Sequence, residues 1–108
     1  MNKEKSGYLV DQFQQDMVGL YEVSKKELNY NASYFIRMVY EYGGLKAAKK
    51  LLAMPAPSSG FTKLWEHGRL DLSVEALVLK DEYLPLFTEE ERIIARNRLE
   101  QYGYEFNG

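Results

Sequence analysis

His67 follows Glu66 and is the only histidine among 108 residues. Histidine titrates near neutral pH, which suits it to general acid or base catalysis. Catalysis also needs a partner placed in space, and the sequence shows none. His67 precedes Gly68, at the expected end of a short helix, where an imidazole can cap carbonyls and favour the helix dipole. A structural role is the preferred reading.

Arg69, Asp71 and Glu75 form a second group, close behind it. An arginine among carboxylates can bind an anion or shape a polar site. The same residues also make a structural ion pair, an N-cap by Asp71 and an acidic first helical turn at Glu75. That second reading is preferred. His67, Arg69, Asp71 and Glu75 together are the candidate polar site.

Lys46, Lys49 and Lys50 recur at spacings of three and four, on one helix face, and Lys63 can join them from the next helix. A basic stripe of this kind suits phosphates, a membrane surface or an acidic partner. More often it is the solvated face opposite a core. Residues 1–54 carry eight Lys/Arg and six Asp/Glu, whereas residues 55–108 carry six and ten. That acidic half opposes binding to a phosphate backbone, so nucleic acid is the alternative partner and protein the preferred one.

Residues 61–79 have the outline of a helix-turn-helix. Its second helix, Ser73-Val74-Glu75-Ala76-Leu77-Val78-Leu79, holds no Arg, Asn or Gln to read base edges and reads as a core helix. Arg92, Arg96 and Arg98 on the last helix read as surface ion-pairing residues beside Glu89 and Glu100.

Composition removes further chemistry. Zero cysteines exclude thiolate zinc sites, iron–sulfur clusters and a cysteine nucleophile, and one histidine excludes a multi-histidine metal site. No phosphate-cradling glycine loop, serine nucleophile elbow or zinc-binding helix motif is present. No metal, no cofactor and no enzymatic activity are expected. Apolar runs stay short, as at Ala76 to Leu79, so no membrane span is expected. Met1 to Ser6 is polar with no apolar stretch after it, which together with the missing cysteines favours the cytoplasm.

The elements that carry these residues read as helices throughout. Leu9, Phe13, Met17, Leu20 and Tyr21 share one face of a first helix over about residues 6–28, with Gly19 inside it. Gly19 either admits a close neighbour or weakens the helix by about 1 kcal/mol. Asn31 or Ser33 is expected to cap a second helix running to Tyr42, apolar around most of its girth and hence central to the core or covered on two sides. Gly43-Gly44 stops it. A third helix spans about 45–53, a Pro/Ser loop 54–59, and a short helix capped by Ser59 ends near Glu66. Asp71 or Ser73 caps the next helix. Asp81 to Phe87 is a turn, and Thr88 to Glu91 is a capping box opening the last helix, whose buried face is Ile94, Ala95, Leu99 and Tyr102. The fold class is all-α: a single compact bundle of five or six short helices over residues 1–108.

Ser59-Gly60-Phe61, Leu64-Trp65, Gly68 to Glu75, Leu86-Phe87-Thr88, Ala95-Arg96 and Tyr102-Gly103-Tyr104 resemble a group of small bacterial proteins of uncharacterised function. The resemblance covers about residues 43–104. It implies a bacterial origin and a compact helical module, and carries no activity. The expected function is a non-enzymatic protein-interaction or regulatory module. The nine tyrosines sit mostly at helix ends, with rings on the core rim and hydroxyls in water, and hint secondarily at an interface. The first helix can pair with a second copy, so a homodimer is a further expectation.

Overall fold

A computed structural model describes residues 2–105, with side chains from Gly7 onward. The chain is all-α, as its periodicities predict. Helix α1 (Asn2–Leu28) has 27 residues, which at a helical rise makes it about 40 Å long. It runs nearly the full 42 Å of the longest dimension. Against it pack α2 (Ser33–Tyr42), α3 (Gly44–Ala53) and a 3₁₀ segment over Asp81–Leu86. A 3₁₀ turn over Leu70–Leu72 and α5 (Val74–Val78) also touch it, while α6 (Glu89–Gln101) packs on α3 and α5, and α4 (Ser59–Glu66) on the 3₁₀ turn. Among the described residues there is no strand, and no helix is long and apolar enough to cross a membrane.

Phe13 and Met17 on α1 are fully buried, as their spacing predicts. Phe13 meets Tyr83 edge-on at 4.9 Å and Phe87 at 5.4 Å, so α1 is pinned to the segment carrying Pro85. Tyr83 departs from the rim placement expected for the tyrosines. Its ring is fully buried and its hydroxyl donates to Asp16 at 2.5 Å. Burial and the Asp16 carboxylate push the Tyr83 hydroxyl's pKa well up.

Helix α2 is not central. Met38 and Val39 are buried, but Ser33, Tyr34, Arg37, Tyr40 and Glu41 form an exposed arc. At 100° per residue these five fall on one side of the helix, so α2 has an outer face despite its apolar composition. Neither Asn31 nor Ser33 caps it. Ala32 is the N-cap without a side-chain bond, while Asn31 Oδ1 accepts from the Tyr21 hydroxyl at 2.8 Å. A tertiary bond has taken the side chain that local geometry offered as a cap. The cap of α4 is Ser58 rather than Ser59, its side chain accepting from Phe61 N–H. Ser73 caps α5, and the Thr88–Glu91 capping box is formed with both bonds.

Two adjacent glycines have different jobs. Gly43 takes φ +86°, the left-handed region that lets α2 turn into α3 without a Cβ clash. Gly44 is buried where α3 crosses α1. A Cβ there would lie 3.0 Å from the Gln14 Cα and 3.2 Å from Met17 Cγ, and the Gly44 N–H donates to the Gln14 side chain. Gly19 has nothing within 4 Å of an added Cβ, so it admits no neighbour and only weakens α1. Thermal or urea unfolding is expected to separate them. Gly44→Ala should lose about 1–3 kcal/mol through backbone overpacking. Gly19→Ala should gain about 1 kcal/mol. Equal effects at the two sites would contradict this assignment.

Candidate functional site

Of the four residues named as a polar site, the structure pairs Arg69 with Asp71 and places His67 and Glu75 apart from them. His67 ends α4, with an exposed side chain; its backbone N–H donates to the Lys63 carbonyl, and the next N–H, of Gly68, to that of Trp65. Arg69 grips Asp71 with two bonds, Nε to Oδ1 at 3.0 Å and a terminal nitrogen to Oδ2 at 3.2 Å. Its other terminal nitrogen reaches Glu27 at 2.8 Å. These carboxylates hold the Arg69 guanidinium's pKa further up, Asp71 most strongly. The triad ties the end of α1 to the turn after α4, which is an exposed structural clasp worth little on its own. Asp71 therefore serves Arg69, not the helix N-terminus that the sequence offered it.

Glu75 lies apart from that clasp. It is 4% exposed, and its Oε2 accepts from Arg98 at 3.2 Å. Arg98 is 8% exposed, which overturns its reading as a surface residue. Its guanidinium also donates to the carbonyls of Leu51 at 3.2 Å and Met54 at 2.5 Å, at the C-terminal end of α3. One arginine therefore locks α3, α5 and α6 together. Burial pushes the Glu75 carboxyl's pKa up, and a backbone hydrogen bond and the attraction of Arg98 only partly offset this. Arg92 is likewise no ion-pairing residue, for it donates to the Phe87 carbonyl at 2.6 Å and to that of Leu84 at 3.3 Å.

The basic face is partly neutralised. Lys49 contacts Glu91 at 2.7 Å beneath the Phe87 ring, and that contact helps lower the Glu91 carboxyl. Lys50 lies 4.6 Å over the Tyr42 ring, and Lys63 stands 4.0 Å from Glu66. Lys46 is exposed. The helix-turn-helix outline also fails on geometry. Every residue from Ser73 to Leu79 is buried, so α5 has no face to offer a groove.

The structure does form a concave site that no local pattern marks. A cavity of about 300 Å³ opens between the end of α1, the start of α2 and the starts of α4 and α5. Tyr21, Tyr30, Phe35 and Phe61 supply aromatic wall, and Ser24 and Glu75 supply polar groups. Burial pushes the Tyr30 hydroxyl's pKa up. Tyr34 and Met54 line the same cavity while remaining 62% and 45% exposed, so they form its rim. Of the candidate polar residues only Glu75 is here. Volume and lining fall at the small end of ordinary ligand or side-chain pockets. Among the described residues no group of three or more His, Asp or Glu is placed to hold a metal. The chain matches no protein-family model, no curated protein and no solved structure.

Proposed function

We propose that this protein is a non-enzymatic protein-interaction module of the bacterial cytoplasm, and that the cavity rim receives its partner. The observation that supports this reading is the pairing of a 300 Å³ cavity with exposed Tyr34 and Met54 at its edge. Tyrosine, methionine and arginine are enriched at binding surfaces, and anchors that enter pockets carry most of the affinity. Tyr34 also belongs to the outer arc of α2 with Arg37 and Tyr40, so the rim continues into an aromatic surface. The exposed His67 stands outside the cavity lining.

Nucleic-acid binding through Lys46, Lys49, Lys50 and Lys63 is less well supported. Glu91 and Glu66 offset two of the four charges. Tyr34→Ser combined with Met54→Ser tests the preferred reading. Both side chains are exposed, so the helical circular dichroism should be retained. Capture of the native partner from the host should fall about tenfold or more, as expected for loss of anchors worth over 1 kcal/mol each. Equal capture by the variant would count against the rim. A dimer mass lost in the variant would identify a second copy as the partner.

A further inference from the structure

The buried carboxylate at the cavity wall bears on what enters it. Glu75 lines the cavity and is more than nine-tenths buried, yet its one arginine is shared. Arg98 divides its donors between Glu75 and the Leu51 and Met54 carbonyls, which form the negative end of α3. The Arg98 charge is therefore divided between a carboxylate and the C-terminal end of α3. The remaining walls suit a cation as well, since aromatic faces attract an ammonium group and the Tyr30 and Ser24 hydroxyls can accept its hydrogen bonds.

We propose that the cavity binds an organic cation: an ammonium group set against Glu75, on an apolar stem held by Tyr30, Phe35 and Phe61. The inference rests on the cavity being the recognition element. The ammonium has two sources, a free alkylamine or a lysine side chain of the partner protein. The first residues of α2 and α4 also line the wall, and helix N-termini favour anions, so an anionic probe is the necessary opponent.

The test compares n-pentylammonium, 1-pentanol, pentanoate and Nα-acetyl-lysine methylamide on the full chain. Amide chemical shifts and titration calorimetry report site and affinity. Pentylammonium should bind about tenfold or more tightly than pentanol, the margin of a charge-assisted hydrogen bond in a sheltered site. Shifts should centre on Tyr30, Phe61 and Glu75. Comparable binding of the blocked lysine identifies a side chain as the source, and pentylammonium alone identifies a free amine. Equal affinity for pentanol, or tighter binding of pentanoate, overturns the inference while leaving the cavity a binding site. No binding by any probe overturns it too, and rim-dependent partner capture would then still stand. Glu75→Gln should erase the preference for ammonium over alcohol. The wild-type comparison decides the matter if that variant fails to fold.

Discussion

Arg98→Ala is expected to cost about 3–5 kcal/mol of stability, because it strands a buried charge rather than merely removing a contact. Glu75 would lose its guanidinium, and the Leu51 and Met54 carbonyls would lose their donors. The loss should depend on pH. Glu75 has a folded pKa raised above its unfolded value, so the folded state binds the extra proton between the two. Its contribution to stability therefore falls as pH rises from the ordinary glutamate range through the raised value. Without Arg98 the carboxyl is pushed higher still. Urea titrations should show a larger deficit at pH 7 than at pH 4, and a deficit that does not change with pH would refute this role. Glu75→Leu combined with Arg98→Met should recover most of the loss, since well-packed apolar residues replace buried ion pairs at little cost.

Phe13→Ala is expected to cost about 3–5 kcal/mol as well, for a different reason. Phe13 is fully buried and meets both Tyr83 and Phe87, so truncation opens a void between α1 and the Pro85 segment. Tyr8→Ala on the same helix is the control. Tyr8 is 67% exposed, and its loss should stay within about 0.5 kcal/mol. Similar losses at the two positions would mean that helix propensity, not burial, sets the stability of α1. Chemical denaturation with a single transition measures both.

Several features were legible because they are local. The Phe13–Met17 stripe, the Gly43 stop and the Thr88–Glu91 box depend on residues within one or two turns of each other. Arg98 was legible too, but its type misled. It stands three residues after Ala95 and one before Leu99, inside the buried stripe, and all three are buried. A charged side chain on that stripe is a signal of a buried partner, not of a surface ion pair.

The cavity had no such signature. Tyr21, Asn31, Phe35, Phe61 and Glu75 come from different elements and are unremarkable where they stand in the chain. Distance in sequence likewise hid the Tyr21 hydroxyl, 10 residues from the Asn31 it binds, and Arg69, 42 residues from Glu27.

The sequence by itself determined an all-helical chain, most of its breaks, and the absence of cysteine and multi-histidine metal chemistry. Backbone propensity, capping and period act over a few residues, and composition acts over none. Only the tertiary structure decided which charges are buried, which face of α2 meets water, and that Glu75 lines a cavity while Arg69 and Asp71 do not. Those outcomes depend on which elements come to lie side by side, and neighbours in space are set by packing of the whole core rather than by any segment's own preference.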